Sequence, residues 1–257
     1  MPPRSPEPSW VDWLTRWDRM QEGYNPQRER RFQAMFDLLA AQLPVRFRAL
    51  DLGCGPGSTS KRLLERFPRA HSAAIDFDPV VLRVGRGALG DQGGRLAWVE
   101  ADLTSADWTR SLPGRRFDAA VSTTALHWLS PAGLRRLYRD LHRIVRPGGL
   151  VLNGDVMPFG PRYAALAELA KKVHAARVAR GPPGDRRNSW DAWWNGLRAE
   201  RSLVAEFAER DRRFPHAHHD DRPPGVDVHL RALRSAGFRT PAVVWEDLED
   251  RIVIGLR

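Results

Sequence analysis

Large apolar residues recur three to four positions apart over the first part of the chain, a spacing typical of helices. Over Trp10–Tyr24 this pattern predicts a helix with one aromatic face. Asn25-Pro26 interrupts the pattern, and a second helix is predicted over residues 27–43. Residues 1–9 are proline-rich and polar and are expected to form a disordered tail, which leaves 10–44 as a pair of N-terminal helices.

Short apolar runs then alternate with helical patterns. Five runs are predicted as strands, at residues 47–52, 71–75, 95–100, 117–122 and 150–154. Helical patterns lie between them, at 59–66, 80–89 and 134–145. Strands separated by helices pair in parallel through right-handed crossovers, so this region predicts an α/β fold with a parallel sheet.

The alternation breaks at residues 157–225, which we expect to form a helical cap inserted after the fifth strand. Two helical patterns lie within this insertion, at 163–180 and 197–210. The alternation resumes with a helix predicted over Val226–Ala236. Two strands then follow, at 241–245 and 251–256. They are joined too closely for a crossover helix and must therefore pair antiparallel.

Composition narrows the possible environments and partners. A hydrophobic content of 42% is sufficient for a sizeable core. The formal net charge of +10 suggests a polyanion as a possible partner, but the positive charge is almost all arginine scattered through every segment, which argues against nucleic acid. A single cysteine excludes an internal disulfide framework, and no apolar run is long enough to span a bilayer. We therefore expect a cytoplasmic protein that does not contact membranes.

A glycine-rich loop follows the first predicted strand. Glycine tolerates a positive φ and has no Cβ, so such a loop can turn sharply and admit a ligand against its backbone. Its glycines are spaced one residue apart, unlike the Gly-x-Gly-x-x-Gly of nicotinamide-binding loops, and an acid lies two residues before the first. This segment, Asp51-Leu52-Gly53-Cys54-Gly55-Pro56-Gly57, resembles the first motif of class I S-adenosylmethionine-dependent methyltransferases.

The resemblance covers about residues 45–156 and 226–257 and implies a methyltransferase domain with a Rossmann-like sheet of seven strands, mostly parallel, whose last strand is antiparallel. It also implies S-adenosyl-L-methionine as the cofactor. The residues expected to bind it are Asp51, Gly53, Cys54, Gly55, Asp76, Phe77, Asp102, Leu103 and Ser122.

Several of these residues have an expected role, and Phe77 either lies along the adenosine or finishes the second strand. Asp76 would accept hydrogen bonds from both ribose hydroxyls, since a carboxylate is a bidentate acceptor. Asp102 would accept from the adenine amino group, and Leu103 would offer it a backbone amide. Asp51 either contacts the ligand or holds the amides of the loop, and Cys54 is expected to pack and lend its backbone rather than act as a nucleophile.

The end of the fourth predicted strand, Ser122-Thr123-Thr124-Ala125-Leu126-His127-Trp128-Leu129, resembles the same segment of the trans-aconitate, malonyl-thioester and juvenile-hormone-acid methyltransferases, which esterify carboxylates. The resemblance implies that Ser122 approaches the cofactor and that His127 and Trp128 face the acceptor. His127 is the catalytic candidate. Three roles stay open for it: a general base, with an ordinary pKa near about 6.5, a hydrogen bond that positions the acceptor, or a cap of the loop.

Further residues are candidates for binding the acceptor. The insertion is rich in tryptophan, with Trp190, Trp193 and Trp194, which either pack the cap on the body or close with the Trp10–Tyr24 helix over an apolar pocket. The fifth strand ends in Asn153 and Asp155. The full set of candidate substrate residues is Tyr24, Trp128, Asn153, Trp193 and His218.

A histidine-rich loop, His216-x-His218-His219-Asp220-Asp221, contains residue types that bind zinc or iron. Its ligands crowd into one loop without a second histidine or cysteine group at suitable spacing elsewhere. We therefore predict no metal site.

Taken together, these features predict an S-adenosylmethionine-dependent methyltransferase that moves a methyl group by in-line displacement to a small-molecule acceptor, with oxygen favoured. Two alternatives remain: a methyltransferase acting on tRNA or another polyanion, and a non-catalytic module that binds S-adenosylmethionine.

Overall fold

Seven strands form one sheet at the centre of the computed structural model, which describes residues 9–180, 189–214 and 223–257. The strands are β1 (Arg48–Leu52), β2 (His71–Asp76), β3 (Leu96–Glu100), β4 (Phe117–Thr123), β5 (Val145–Val156), β6 (Arg239–Asp247) and β7 (Asp250–Leu256). Their order across the sheet is β3-β2-β1-β4-β5-β7-β6. The strands from β3 to β5 pair in parallel, and β7 runs antiparallel to both β5 and β6. The predicted fold class is confirmed.

Helices cover both faces of this sheet. In chain order they are α1 (Trp10–Tyr24), α2 (Arg28–Gln42), α3 (Ser58–Arg66), α4 (Pro79–Leu89), α5 (Pro131–Ile144), α6 (Ala164–Arg180), α7 (Trp190–Arg198), α8 (Val204–Arg213) and α9 (Val226–Ala236). Alternate residues of β1 face opposite layers, because strand side chains alternate. Leu50 and Leu52 pack in the core that includes α5 and α9, and Ala49 packs in the core that includes α2 and α3.

A third apolar cluster holds the inserted segment against the body. Trp193 and Leu197 of α7 and Phe207 of α8 are buried together with residues of α1 and α4 such as Trp13 and Val84. Of these helices, the sequence predicted the aromatic face of α1 but no helix over α7. The domain boundaries drawn from the sequence stay a prediction.

The helix predicted over residues 197–210 is wrong as a single element. α7 ends at Arg198, a short 3-10 turn follows over Arg201–Leu203, and α8 begins at Val204. Leu197 and Leu203 are six positions apart, which would place them on different faces of a straight helix. The break in the helix allows both side chains to be buried in the same cluster.

No helix within the described ranges is both long and apolar enough to cross a bilayer.

Candidate active site

The glycine-rich loop joins β1 to α3 at the carboxyl edge of the sheet. Gly53, Gly55 and Gly57 have φ angles of 64°, 54° and 90°, a region that other residues adopt only with strain. A Cβ added to Gly53 would lie 2.4 Å from the Cβ of Ala125. The loop therefore lies directly against the segment that follows β4, the segment containing His127.

Asp51, at the end of β1, is buried and only half satisfied. Its Oδ2 accepts hydrogen bonds from the backbone N–H of Ser60 at 2.9 Å and from the Ser60 hydroxyl at 2.7 Å. Its Oδ1 is buried and has no hydrogen-bond partner among the described residues. Burial raises the pKa of Asp51 to about 7, against the opposing effect of the Ser60 hydrogen bonds. A buried carboxylate oxygen without a partner is costly, and a donor from a ligand would satisfy it.

Asp76, at the end of β2, ties the loop to its neighbouring strand. Its Oδ2 accepts from the backbone N–H of Gly55 at 2.7 Å, and its Oδ1 accepts from those of Phe77 at 2.8 Å and Asp78 at 3.0 Å. Burial raises the pKa of Asp76 to about 6. A second hydrogen bond joins the loop to β2, since the Cys54 backbone N–H donates to the Ile75 carbonyl at 2.9 Å.

The Cys54 side chain is buried as well, and burial raises the pKa of its thiol. A thiol with a raised pKa is a poor nucleophile. This agrees with the expected packing role of Cys54.

Asp102 and Leu103 follow β3 at the same edge of the sheet. The Oδ1 of Asp102 accepts from the backbone N–H of Thr104 at 2.8 Å and from the Thr104 hydroxyl at 2.7 Å, which orders the turn after the strand. The backbone N–H of Ala101 donates to the Asp76 carbonyl at 2.9 Å, so the exits of β2 and β3 lie side by side. The structure thus brings the two predicted acids to neighbouring positions.

The end of α8 covers this corner, which the sequence did not predict. The Arg213 guanidinium donates to the Phe77 carbonyl at 2.7 Å, pairs with Glu100 at 2.6 Å and lies 4.8 Å from the centre of the Phe77 ring. The ring of Phe214 packs edge-on against Phe77 at 5.6 Å. Both residues come from the insertion, more than a hundred positions from β2, and no local pattern links them to it.

Ser122, the predicted cofactor contact on β4, is buried, and its hydroxyl donates to the Leu52 carbonyl at 2.8 Å. This bond holds β4 to β1 where the loop begins. A second bond, between the hydroxyls of Thr59 and Thr123 at 2.9 Å, joins the start of α3 to the end of β4. Contact of Ser122 with the cofactor stays a prediction.

His127 lies in a short 3-10 turn after β4 and is held by Asp155 of β5. The Oδ1 of Asp155 lies 2.8 Å from His127 Nδ1, and its Oδ2 accepts from the His127 backbone N–H at 3.0 Å. Asp155 is fully buried, which on its own would raise its pKa, but His127 beside it, their hydrogen bond and Arg31 lower the pKa overall. The pairing fixes the orientation of the imidazole and leaves Nε2 outside this hydrogen bond. Asp155, and not the His127 side chain, caps the turn.

A fully buried arginine, Arg31 of α2, connects the same region to the terminal hairpin. Its Nη1 pairs with Asp250 at 2.7 Å, and its Nη2 donates to the Thr124 hydroxyl. Thr124 has a φ of 55°, a conformation rare for a β-branched residue, and its backbone N–H donates to the Gly154 carbonyl at 2.9 Å. Arg31 therefore helps to hold the turn that precedes His127. The helical pattern of α2 gave no indication of this role.

The candidate substrate residues divide into two groups. Trp128 is exposed, with its ring 4.7 Å from that of His127, and Tyr24 is exposed, with its hydroxyl 3.3 Å from the Trp190 backbone nitrogen. Trp193 and Asn153 are fully buried, and the structure gives neither a surface open to an acceptor. The Trp193 indole N–H donates to the Trp13 carbonyl at 3.1 Å, so this ring packs α7 on α1. His218 lies outside the described residues.

The aromatic face of α1 does reach the glycine-rich loop. A Cβ added to Gly55 would lie 3.3 Å from the ring of Trp17. The Trp17 ring is 4.8 Å from that of Trp193 and 5.9 Å from that of Trp190. Both α1 and α7 therefore lie near the carboxyl end of β1. Closure of the two helices over one pocket stays a hypothesis.

Among the described residues no group of three or more histidine, cysteine or acidic side chains could hold a metal ion. The loop from His216 to Asp221 lies outside them.

Comparison with known proteins identifies the family. A sequence profile described as a methyltransferase domain matches residues 49–149. The chain is 34% identical over 203 residues to a trans-aconitate 2-methyltransferase of Azoarcus sp. (strain BH72), an alignment that spans 78% of this chain and 68% of that protein. The chain belongs to the class I S-adenosylmethionine-dependent methyltransferases.

Other relatives of this methyltransferase agree. A malonyl-[acyl-carrier protein] O-methyltransferase of Pseudescherichia vulneris is 35% identical over 165 residues, which span 62% of this chain and 60% of that protein. A solved methyltransferase structure from Methanococcus maripaludis superposes with a TM-score of 0.54 at 17% identity, over 100% of this chain and 97% of that one. At such low identity the superposition shows the fold alone.

The residues at the carboxyl edge fit the cofactor of the family. The glycines leave a backbone cradle, and Asp51 Oδ1, without a partner in the part of the chain that the structure describes, is suited to accept from a donor such as an ammonium group. Asp76 and Asp102 add carboxylates where ribose hydroxyls and an adenine amino group are the expected donors. That these three carboxylates meet the donor groups of S-adenosylmethionine stays a prediction.

Proposed function

We propose that this methyltransferase esterifies a small-molecule carboxylic acid at one of its oxygens. The observation that carries the proposal is the His127–Asp155 pair, in a segment that Ala125 places against Gly53 of the cofactor loop. The names of the relatives support it, since trans-aconitate is a carboxylic acid and the second relative is an O-methyltransferase. A reducing, cytoplasmic setting is part of the proposal, because the only cysteine is a buried thiol.

Asp51, Asp76 and Asp102 would hold the cofactor through its ammonium group, ribose and adenine. When bound, S-adenosylmethionine supplies a methyl group already activated as a sulfonium, for which alignment alone accounts for about 7–11 kcal/mol of the barrier. The chain therefore has to bind the acceptor in line and exclude water.

His127 would bind the acceptor through Nε2. A carboxylate is already ionised, so it needs no base, and the imidazole would contribute by binding and orientation. In a protonated imidazole Nδ1–H donates to Asp155, and the Nε2–H would donate to an acceptor carboxylate. The exposed ring of Trp128 beside it would provide apolar contact.

A second acceptor class is favoured by the same pair. In a neutral imidazole whose Nδ1–H donates to Asp155, Nε2 is a proton acceptor and could remove the proton of a hydroxyl group. Base catalysis of this kind contributes about 10²–10⁴-fold. We therefore expect a His127 variant to lose affinity for a carboxyl acceptor but to lose turnover with a hydroxyl acceptor.

The decisive experiment is a screen of acids, phenols, alcohols, amines and bulk tRNA with isotope-labelled cofactor, in which methylated products are detected by mass. A methyl ester that hydrolyses in mild alkali supports the proposal. Against the best acid, His127→Gln should raise KM and leave kcat nearly unchanged. A labelled amine, a labelled tRNA, or no transfer by protein that still binds S-adenosylhomocysteine would contradict it, the last outcome indicating a binding module.

A further inference from the structure

A cleft lies at the amino-terminal edge of the sheet, opposite to the glycine-rich loop. Its volume is about 490 Å³, within the usual range for small-molecule sites. It is lined by residues at or just before the starts of neighbouring strands, among them five arginines: Arg46, Arg48, Arg69, Arg95 and Arg146. Because these arginines come from separate segments, their convergence was not visible along the sequence.

The positive charge of this cleft is largely uncompensated. One acid, Asp118, lines it against the five arginines. The Oδ1 of Asp118 pairs with Arg146 at 3.1 Å, and its Oδ2 accepts from the backbone N–H of Arg48 at 2.8 Å. Asp118 can therefore neutralise a single charge, and four positive charges remain.

Two of the guanidinium groups are held in place by neutral partners. Arg48 donates to the Pro113 and Arg116 carbonyls and lies 4.8 Å from the centre of the Phe117 ring, and Arg95 donates to the Leu64 carbonyl at 3.2 Å. These contacts order the side chains without cancelling their charge, and they leave further N–H donors unused.

The other two unpaired arginines are more accessible. Arg46 and Arg69 are exposed, and neither pairs with a carboxylate in the part of the chain that the structure describes. A guanidinium group can donate two parallel N–H bonds to two oxygens of one phosphate. Several ordered or accessible guanidinium groups around one concave surface are therefore suited to bind more than one phosphate group.

We propose that this cleft binds a small molecule bearing two or more phosphate groups. The site is separate from methyl transfer, because β1 alone, five residues or about 17 Å long, lies between the cleft and the glycine-rich loop. A ligand in the cleft is therefore an effector or a tether and not the methyl acceptor. This inference does not depend on the identity of that acceptor.

Tripolyphosphate and orthophosphate are suitable probes, titrated into the purified protein by calorimetry at about 0.15 M salt, where surface charges are screened. We expect one tripolyphosphate per chain, bound at least about tenfold more tightly than orthophosphate. The double variant Arg46→Gln/Arg69→Gln should lower the affinity for tripolyphosphate by at least about tenfold. Neither side chain forms a hydrogen bond or an ion pair within the described ranges, so the melting temperature of this variant and its affinity for S-adenosylhomocysteine should match the wild type.

The matched control is Arg135→Gln/Arg139→Gln, which removes the same charge from the exposed face of α5, away from the cleft. Unchanged tripolyphosphate binding in this control supports a specific site. An equal loss in both double variants would overturn the proposal in favour of a general charge effect, and equal affinity for both phosphates would indicate adventitious ion binding. Tighter binding of a short oligouridylate than of tripolyphosphate, lost in the cleft variant, would overturn it in favour of nucleic acid.

Discussion

His127 Nδ1 lies 2.8 Å from Asp155 Oδ1, although His127 follows β4, Asp155 lies near the end of β5, and the two are 28 positions apart. Since β4 and β5 are neighbours and parallel, their carboxyl ends meet at one edge, and the pairing follows from the topology. Asp155 also accepts from the His127 backbone, so a single carboxylate fixes both the turn and the ring. The orientation of the imidazole ring, and so of Nε2, is therefore set by a carboxylate on β5.

Replacing Asp155 with asparagine should separate the two candidate roles of His127. The amide keeps the size of the carboxylate and loses its charge, so the charged hydrogen bond that orients the His127 ring is weakened. With a carboxylic acid acceptor we expect KM to rise at least about tenfold with little change in kcat, because the acceptor loses a well-placed Nε2 partner. With a hydroxyl acceptor we expect kcat to fall by about 10²-fold or more.

Steady-state kinetics over a pH range measure this difference. S-adenosylhomocysteine affinity serves as the control, since the proposal assigns Asp155 to the acceptor and not to the cofactor. An Asp155→Asn enzyme with unchanged kcat and KM would show that the pair is purely structural.

The affinity for the cofactor should depend on pH through Asp51. Burial raises its pKa to about 7 in the free protein, whereas an ammonium donor binds the ionised form. About a tenth of Asp51 is ionised near pH 6 and most of it near pH 8, so affinity for S-adenosylhomocysteine should rise about tenfold over this interval. Calorimetric titration with Asp51→Asn should give weaker binding with a smaller pH dependence. A wild-type affinity that is flat over this interval would contradict the assignment.

The same carboxyl should make the cofactor-free protein less stable as the pH rises. Unfolded Asp51 loses its proton near about pH 3.9, but the folded protein keeps it up to about pH 7, so the folded state binds one more proton in between. Its contribution to stability is full below about pH 4 and is lost as the pH rises through about 7. Asp76, with its pKa raised to about 6, adds a contribution of the same sign.

Thermal unfolding at several pH values measures this trend. Asp51→Asn should show a shallower decline in melting temperature than the wild type, because asparagine does not titrate. An equally steep decline in the variant would assign the effect to other groups.

Much of the fold could be predicted because each element carries its own pattern. The Trp10–Tyr24 helix was predicted with the bounds that the structure shows, since its apolar positions lie on one face and Asn25 follows it. The glycine-rich loop could also be predicted, because the φ angles of Gly53, Gly55 and Gly57 favour glycine and so leave a visible spacing of glycines in the sequence.

Contacts between distant segments could not be predicted in this way. Arg31 pairs with Asp250 across 219 positions, and Arg213 donates to Phe77 across 136. Periodicity shows that a face is buried but not what it is buried against. The cleft lined by five arginines could not be predicted either, since these residues are scattered along the chain and converge only at the edge of the sheet.

Gly53→Ala should abolish cofactor binding through a steric clash. The new Cβ would lie 2.4 Å from the Cβ of Ala125 at a φ of 64°, so the loop or the segment after β4 must move. Gly93→Ala is a matched control, because its φ is 69° but nothing lies within 4 Å of the added Cβ. Both variants should lose about 1–2 kcal/mol of stability from the left-handed conformation, and Gly53→Ala more. Only Gly53→Ala should lose affinity for S-adenosylhomocysteine, and equal affinities in the two variants would contradict the clash.

Arg213→Gln should weaken cofactor binding if Phe77 lies along the adenosine. Arg213 holds the Phe77 carbonyl, pairs with Glu100 and covers the Phe77 ring, so its loss frees the aromatic side chain at the β2 exit. We expect the affinity for S-adenosylhomocysteine to fall at least about tenfold, from the lost charged hydrogen bonds and the ring contact. Arg198→Gln removes an equal charge and the ion pair with Asp211 from the same insertion, away from Phe77, and should bind as the wild type does. If the two variants bind equally well, Phe77 is a packing residue and the adenosine lies elsewhere along the edge.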